Sequence, residues 1–209
     1  MLTITDYNLP DIKLLEEETE RFLIWIPDKT YIVLGASNRP EESLFIENVS
    51  QDNITVLKRL SGGQTVMLTP NNLILSVVFI TKEALKPKDV FRNINSLLIS
   101  AMEEAGINDL SLKGISDIAI SGKKILGSAI YRNKDKLLYH AVLNLGEPAA
   151  IFEKYLKHPV KEPDYRNGRK HIDFVTSLKD NGYIGSYDKL VSVISDMFSQ
   201  KLNNQNSLY

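Results

Sequence analysis

Hydrophobic and polar positions follow two different periods along the chain, and each period indicates one kind of element. Apolar residues spaced three or four apart, with polar residues on the opposite face, predict amphipathic helices. The segments with this spacing are 11–25, 87–106 and 187–202, with shorter helices near 149–157 and 170–180. Runs of β-branched and apolar residues bounded by Gly, Pro or Asn predict strands. These runs are 31–34, 54–57, 64–68, 73–80, 118–120, 125–131 and 137–145.

The order of these elements indicates the fold class. Strands that follow one another in runs, rather than alternating with helices, are typical of an α+β fold with a mostly antiparallel, mixed sheet flanked by helices. No segment has the composition of a linker, so we expect a single domain over residues 1–209 that ends with helix 187–202. Residues 200–209 are polar and are expected to fray.

Composition narrows the classes of function. The chain has 209 residues, 43% of them hydrophobic, which is enough for a sizeable core. Its formal net charge of -1 gives no overall field that would attract nucleic acid or an anionic membrane. It contains no cysteine, which excludes disulfides, thiolate metal sites and a cysteine nucleophile. The N-terminal residues lack the features of a signal peptide, and no apolar run reaches the about 18 residues that a membrane span requires, so we expect a cytoplasmic protein.

The most informative motif is Lys-Arg-Leu-Ser-Gly-Gly-Gln-Thr-Val at 58–66, between two predicted strands. Gly62 and Gly63 carry no Cβ and adopt positive φ readily, so backbone N–H groups there can approach an anion. Arg59 and the lysine before it add positive charge, and Ser61 adds a hydroxyl donor. The same pattern is also typical of a plain hairpin turn, so both interpretations stay open for the isolated motif.

A second segment, 114–129, has a similar character. Lys124 and the lysine before it follow a tight Ser-Gly turn and precede Gly127, Ser128 and Ala129 in an otherwise apolar strand. Small residues inside a strand lose packing unless something else fills the space. One interpretation is a slot in which a flat or extended ligand lies beside a lysine ammonium. The other is a hairpin with solvated lysines.

Two further features carry chemically active side chains without deciding a function. His140 lies in an apolar strand, where a single histidine is more often a hydrogen-bonded core residue than a catalytic one. The basic, tyrosine-bearing segment 163–171 fits a surface loop, a nucleotide contact or a docking element.

Taken together and in order, these motifs resemble those of the lipoate-protein ligase A family within the biotin/lipoate ligase superfamily. That family has a pattern close to Arg-Arg-x-Ser-Gly-Gly-Gly-[Ala/Thr]-Val, then Asn-Asp followed by Lys-[Ile/Val]-x-Gly-Ser-Ala, then a histidine-containing strand. KRLSGGQTV, SDIAISGKKILGSA and LLYHAVLNL match in the same order, and GASNRPEES at 35–43 is similar to the family's Gly-x-x-Gln-Asn-Pro-x-x-Glu loop. The resemblance covers about residues 10–180. It implies a class II biotin/lipoate ligase-like catalytic domain, in a short form without the C-terminal accessory domain of longer members.

The resemblance also implies an activity. Members activate lipoate, or octanoate, with ATP and Mg²⁺ to an acyl-adenylate and transfer the acyl group to a lysine of a lipoyl carrier domain. The implied carriers are an E2 subunit of a 2-oxoacid dehydrogenase or the glycine cleavage H protein. A separate accessory subunit would replace the missing domain. The resemblance implies neither nucleic acid nor a membrane as a partner.

Particular residues acquire roles from the same resemblance. Lys124, just before the Gly-Ser-Ala run, corresponds to the catalytic lysine that contacts carboxylate and α-phosphate oxygens. The positions that match the substrate and adenylate site are Asn38, Arg59, Ser61, Gly62, Gly63, Asp117, Gly127, Ser128, Ala129 and His140. Asp117 is also the candidate ligand for the Mg²⁺ that accompanies ATP.

Three positions depart from the family pattern. Gln64 replaces the third glycine of the turn, Ser116 replaces the asparagine of Asn-Asp, and Leu68-Thr69 replaces a His-Asp pair. They motivate two alternatives to the full ligase reaction. One is a non-catalytic or transfer-only paralogue that binds lipoyl-adenylate or a lipoylated domain. The other is a lipoyl or octanoyl transferase that acts without a cysteine.

Overall fold

The computed structural model describes residues 2–81 and 85–203, and its strands form two sheets that pack against each other. The strands are β1 (Ile4–Asp6), β2 (Arg21–Trp25), β3 (Tyr31–Leu34), β4 (Thr55–Lys58), β5 (Val66–Leu68), β6 (Asn72–Ile80), β7 (Leu110–Lys113), β8 (Asp117–Ile120), β9 (Lys123–Arg132) and β10 (Lys136–Asn144). The α-helices are α1 (Pro40–Ser43), α2 (Ile46–Gln51), α3 (Pro87–Glu104), α4 (Ala150–Tyr155), α5 (His171–Phe174) and α6 (Tyr187–Asn203). Short 3-10 helices occupy Pro10–Glu16, Asp164–Arg166 and Lys179–Asn181.

The larger sheet has six strands in the order β2-β6-β10-β9-β8-β7, and every neighbouring pair is antiparallel. Helices α3 and α6 cover one face and bury the main hydrophobic core. Helix α3 buries Val90, Ile94, Leu98 and Met102 at the spacing that predicted it, and it ends before Gly106, whose φ is +93°. The predicted α+β class with a mostly antiparallel sheet is confirmed.

The smaller sheet is mixed and has the order β1-β4-β3-β5. Strands β1 and β3 both run parallel to β4, and β5 runs antiparallel to β3. Its outer face packs on α2 and α4 through a second apolar cluster. On the inner side, Val33, Leu57 and Leu68 meet Ile74 of the larger sheet in a third cluster. The two sheets therefore share an apolar contact beside which a cavity can open.

The helix predicted over 11–25 is wrong. Residues Pro10–Glu16 form a 3-10 helix, and Arg21–Trp25 form strand β2, which pairs with β6 at the edge of the larger sheet. Phe22 and Ile24 pack on the main core, whereas Leu23 packs on a separate cluster with Leu14. This alternation has the period of a strand, and pairing with β6 overrides the helical spacing.

Other differences concern short elements. The sequence did not indicate β1, β7, α1 or α2, each of which has six residues or fewer. The strand predicted over 64–68 is limited to β5, and the helix predicted over 170–180 is divided into α5 and a 3-10 helix. The tail expected to fray at 200–209 is helical through Asn203, and its remainder lies outside the described residues. Within the described part of the chain, no helix is long and apolar enough to cross a membrane.

Candidate acyl-adenylate site

A cavity of about 990 Å³ is lined by strands of both sheets and brings together most of the residues singled out from the sequence. Those that line it are Asn38, Arg59, Gly63, Asp117, Lys124, Gly127, Ser128, Ala129 and His140. Gly62 is exposed outside the lining, and Ser61 is buried against His140. The two motifs, at 58–66 and 114–129, thus form two walls of one cavity.

Lys124 is the cation placed most directly in this cavity. The β8–β9 hairpin turns at Ser121 and Gly122, both with positive φ, and pairs Asp117 with Gly127 and Ala119 with Lys124, so the Lys124 side chain reaches Asp117 along the hairpin. Lys124 Nζ lies 2.8 Å from Asp117 Oδ1, and the Tyr165 hydroxyl donates to Oδ2 at 2.8 Å. Burial and the Asp117 charge raise the pKa of Tyr165, so its phenol stays protonated and can donate. Asp117 is buried, whereas the Lys124 side chain is part-exposed and lines the cavity.

Position 127 has no room for a side chain because Lys124 lies against it. A Cβ built on Gly127 would lie 2.5 Å from Lys124 Nζ and 2.6 Å from Lys124 Cε, which is closer than van der Waals contact permits. The lysine side chain therefore lies across the Gly127 backbone. Gly127 also lines the cavity, and its assignment to the adenylate site stays a prediction.

Arg59 has a different environment from the one expected for a ligand-binding cation. It is buried and makes four hydrogen bonds within its own region: to Ser61 Oγ, to the Val33 carbonyl, and to the carbonyls of Gly62 and Gln64. Burial lowers the pKa of Arg59 to about 10. Its guanidinium therefore holds the 59–64 turn in shape, although one edge still reaches the cavity lining.

Only one of the two glycines in this turn requires glycine. Gly63 has φ +91°, and a Cβ on it would approach Arg59 to 3.1 Å, whereas Gly62 has an ordinary φ and open space around it. Gln64 also lacks positive φ, so its backbone accepts a side chain without strain. The third glycine of the family pattern is therefore dispensable for the shape of this turn.

Asn38 connects the 35–38 turn to the 59–65 segment. Its side-chain oxygen accepts hydrogen bonds from the Gly35 N–H at 2.9 Å and from Thr65 Oγ1 at 3.1 Å, and its carbonyl accepts from Lys58 Nζ at 2.6 Å. A Cβ on Gly35 would collide with the Gly63 carbonyl, which explains the glycine at position 35. Asn38 thus has a demonstrable structural contact in addition to its place on the lining.

The other departures from the family pattern also have local explanations. The Ser116 carbonyl, rather than its side chain, accepts from Ser128 Oγ and N, at 2.7 and 3.0 Å. Leu68 lines the cavity as an apolar residue. Thr69 is buried and donates to Glu147 at 2.6 Å. Each of these three residues therefore has a contact of its own or a place on the cavity lining.

The basic segment that the sequence left open lies over the cavity and is fixed to the β8–β9 hairpin. Arg166 and Arg169 stack on the Phe174 ring, with guanidinium carbons 4.8 and 5.2 Å from its centroid. Arg169 also donates to the Gly122 carbonyl at 3.0 Å, and Tyr165 contacts Asp117 as described above. The segment is therefore part of the cavity wall, and a nucleotide contact and a docking element both stay predictions.

The arrangement offers little for a metal ion held by the protein alone. Among the described residues, no three Asp, Glu, His or Cys side chains lie close enough to hold one. Asp117, the candidate ligand, already contacts Lys124 and Tyr165 with its two oxygens. Mg²⁺ commonly binds through one or two carboxylates plus substrate phosphates, so a metal that enters with a nucleotide is the form compatible with these residues.

Sequence reasoning missed four residues that shape the site: Tyr7, Asp11, Gly35 and Tyr165. Asp11 is fully buried near His140, but its position in a supposed solvent-facing helix concealed it. Gly35 belonged to a matched motif, and Tyr165 to a segment already noted as unusual. Tyr7 donates to Asp11 only four positions away, but the other partners of Asp11, Ser76 and His140, lie 65 or more positions away, so no local pattern indicated the cluster.

Comparison with known proteins agrees with this geometry. The family model for the lipoyl protein ligase A/B catalytic domain matches residues 4–199. Lipoate-protein ligase LplJ of Bacillus subtilis is 29% identical over 215 residues, which cover 98% of this chain and 59% of that protein. The chain therefore spans somewhat over half the length of this relative.

Solved structures share the fold at lower identity. The bi-partite lipoate protein ligase of Thermoplasma acidophilum, described together with its E2 lipoyl domain, has a TM-score of 0.78 and 18% identity, covering 97% of this chain and 84% of that chain. A lipoate-protein ligase A bound with ATP has a TM-score of 0.72 and 21% identity, covering 88% and 73%. These likenesses show the fold, and the family model supplies the assignment. Because that model extends over nearly the whole sequence, the chain belongs to the lipoyl protein ligase A/B catalytic domain family.

Proposed function

We propose that this chain is the catalytic domain of a lipoate-protein ligase, which activates lipoate or octanoate with ATP and transfers the acyl group to a lysine of a lipoyl carrier domain. The observation that carries the proposal is the position of Lys124, a part-exposed cation paired with Asp117 in a cavity that has both apolar and polar walls. Family membership and the relatives' names support the same activity.

The first step would form the acyl-adenylate. A carboxylate oxygen of the fatty acid bonds to the α-phosphorus of ATP, and the bond from that phosphorus to the bridging oxygen breaks, which releases pyrophosphate. Negative charge accumulates on the α-phosphate oxygens, and the Lys124 ammonium is placed to stabilise it. Among the described contacts, the backbone N–H groups of Gly63 and Gln64, which line the cavity, have no acceptor in the protein, so they are available to an anion as well.

The second step would transfer the acyl group. The neutral amine of the carrier lysine attacks the acyl carbonyl carbon, the bond to the adenylate oxygen breaks, and an amide forms with loss of AMP and a proton. The mixed anhydride hydrolyses in water, so the intermediate needs cover. Segment 157–171 lines the cavity and is fixed to the hairpin through Tyr165 and Arg169, which makes it the element suited to provide that cover.

We infer that Mg²⁺ enters as part of the Mg-ATP substrate. Asp117 is the carboxylate in position to meet it, since this side chain lies beside Lys124 on the cavity wall. The carrier would be an E2 lipoyl domain or the glycine cleavage H protein. A separate accessory subunit is part of the proposal, because a bi-partite ligase has the same fold.

The test is a reconstituted reaction containing the purified chain, lipoate, Mg-ATP and a lipoyl carrier domain, with pyrophosphate release and carrier mass as readouts. We expect lipoylated carrier from the wild type and none from Lys124→Ala. Lys123→Ala is a matched control, because this neighbouring lysine is exposed and lies outside the cavity lining. Equal loss in both variants would contradict a specific role for Lys124.

A transfer-only function is the second candidate. It is favoured by Gln64 and Leu68, which place an amide and an apolar group on the lining where the family pattern has smaller or polar residues. Such a chain would accept presynthesised lipoyl-adenylate but release no pyrophosphate from ATP. Binding of lipoyl-adenylate without either reaction would indicate a non-catalytic paralogue. Acyl transfer from an acyl thioester without ATP would indicate a transferase that needs no cysteine.

A further inference from the structure

A buried carboxylate lies behind the cavity, next to His140. Asp11 is fully buried, and its two oxygens accept hydrogen bonds from the Tyr7 hydroxyl and the Ser76 hydroxyl, each at 2.7 Å. His140 Nδ1 lies 3.8 Å from Asp11 Oδ2, an electrostatic approach rather than a hydrogen bond. Three groups able to donate a proton therefore converge on one carboxylate that water does not reach.

A second series of contacts reaches His140 from the opposite side. Arg59 Nε donates to Ser61 Oγ at 2.9 Å, and Ser61 Oγ lies 2.7 Å from His140 Nε2. A guanidinium nitrogen can only donate, so Ser61 must accept from Arg59. Among the contacts described, His140 Nε2 is the remaining partner for the Ser61 proton. The hydroxyl therefore donates to that nitrogen.

This direction determines where a singly protonated His140 ring carries its proton. If Nε2 accepts from Ser61, the proton is on Nδ1 and points toward Asp11. The opposite tautomer would leave the Ser61 proton without an acceptor and would direct the Nδ1 lone pair at a carboxylate. Both effects are unfavourable in a buried region.

The charge on Asp11 is compatible with this arrangement. Burial alone raises the pKa of Asp11, but His140 and the hydrogen bonds from Ser76 and Tyr7 outweigh it and hold that pKa below its ordinary value. Burial and Asp11 in turn raise the pKa of Tyr7, so its phenol stays protonated. The buried Arg59 cation lies at the other end of the series and balances the negative charge.

We propose that Asp11 is a positioning residue for the acyl chain: it holds His140 as the Nδ1–H tautomer, so that the ring presents carbon to the cavity. Both ring nitrogens are engaged away from the lining, where the neighbouring residues on the same sheet are Ile74 and Val142. Among the described contacts, the stretch formed by His140, Ile74 and Val142 thus offers no side-chain donor to the cavity, which suits an unsubstituted apolar acyl chain and disfavours a hydroxylated one. The substrate consequence rests on the proposed ligase function, whereas the tautomer does not.

The tautomer can be tested on this chain of 209 residues without any substrate. Side-chain ¹⁵N spectra distinguish Nδ1–H from Nε2–H histidine, and His140→Gln identifies the His140 signals among the three histidines of the chain. We expect Nδ1–H in the wild type and a shift toward Nε2–H in Asp11→Asn. Ser76→Ala removes one partner of Asp11 but retains the carboxylate, so it should keep Nδ1–H. Wild-type His140 in the Nε2–H form would overturn the proposal, and so would a folded Asp11→Asn with an unchanged tautomer.

The consequence for the substrate is measured by calorimetric binding of octanoate and ω-hydroxyoctanoate. We expect the wild type to prefer octanoate and Asp11→Asn to bind it about tenfold more weakly, with a smaller preference over the hydroxylated chain. Should Asp11→Asn not fold, Ser61→Ala, which removes the partner of Nε2, is expected to weaken octanoate binding and shift the tautomer in its place. Unchanged preference in a variant whose tautomer has changed would refute the role in acyl binding. Failure of the proposed function would appear separately, as a wild type that binds octanoate but releases no pyrophosphate.

Discussion

Replacing Gly127 by alanine should strongly lower the proposed ligase activity while leaving the fold almost unchanged. The new methyl group would start 2.5 Å from Lys124 Nζ, so the ammonium must retreat by about 1 Å to regain ordinary contact. Retreat separates it from Asp117, which it now meets at 2.8 Å. A displacement of that size at a reacting group can cost about a hundredfold in rate. Full loss of one stabilising cation corresponds to about 3 kcal/mol of transition-state stabilisation.

The expected result is therefore a fall in kcat on the order of 10²-fold, with unfolding free energy lowered by less than about 1 kcal/mol. The small stability effect follows because the obstructing atoms are the free end of a flexible side chain, and because the Lys124–Asp117 pair is partly exposed. Pyrophosphate release measures the rate, and urea unfolding measures the stability.

Gly146→Ala is a suitable control for this experiment. A Cβ at Gly146 would make ordinary contacts of 3.5 to 3.7 Å with Lys179 and Tyr187, and the residue lies outside the cavity lining. Near-normal kcat in Gly127→Ala, together with an inactive Lys124→Ala, would refute the argument that Gly127 exists to accommodate the lysine. Lost activity accompanied by unfolding would refute the claim of a local effect.

Three further predictions concern stability. Gly63→Ala should lower the unfolding free energy by about 1 to 2 kcal/mol, because residue 63 has a positive φ. Gly62→Ala should change the unfolding free energy by less than about 0.5 kcal/mol. Equal effects of the two substitutions in urea unfolding would contradict the assignment of strain to Gly63. Arg59→Lys keeps the charge but loses the planar set of donors, and should cost about 3 kcal/mol in the same assay, with an unchanged midpoint arguing against a structural role. Burial lowers the pKa of His171 from 6.5 to about 4. Between these two pH values the histidine is protonated in the unfolded chain but neutral in the folded chain, so the unfolding free energy should fall as the pH drops from 6.5 to 4. His171→Gln should remove on the order of 2 kcal/mol of this pH dependence, and identical pH profiles in thermal unfolding would show that His171 is not its source.

The two loop motifs were predictable because their properties are local. Gly63 has a positive φ, and the Ser121-Gly122 turn has two residues with positive φ. The conformation of each turn is therefore specified by residues that are adjacent in sequence. The run of small residues marked the segment around Lys124, and the resemblance to the Lys-[Ile/Val]-x-Gly-Ser-Ala pattern singled out this lysine. The long helix α3 was predictable for a similar reason, since eighteen residues repeat one spacing and begin with a proline.

The role of Arg59 was not predictable in the same way. Its neighbours in sequence allow either a ligand contact or an internal one, and the choice depends on whether the surrounding carbonyls point inward. The carbonyl groups do point inward, and one of them belongs to Val33, which lies on a strand twenty-six positions before Arg59. A buried cation surrounded by carbonyl groups uses its hydrogen-bond donors on them, so it supports the local structure and has fewer donors left for a ligand.

The sequence by itself determined the α+β class and the two turn motifs that carry Arg59 and Lys124, because turn geometry and side-chain periodicity depend on neighbouring residues. Tertiary structure decided that residues 21–25 form a strand, since pairing with β6 supplies backbone partners that a helical spacing cannot outweigh. It also decided that Asp11 meets His140 and that Tyr165 meets Asp117. Such contacts join residues 48 or more positions apart. Only the packing of the two sheets and the course of segment 157–171 bring these groups within reach of each other.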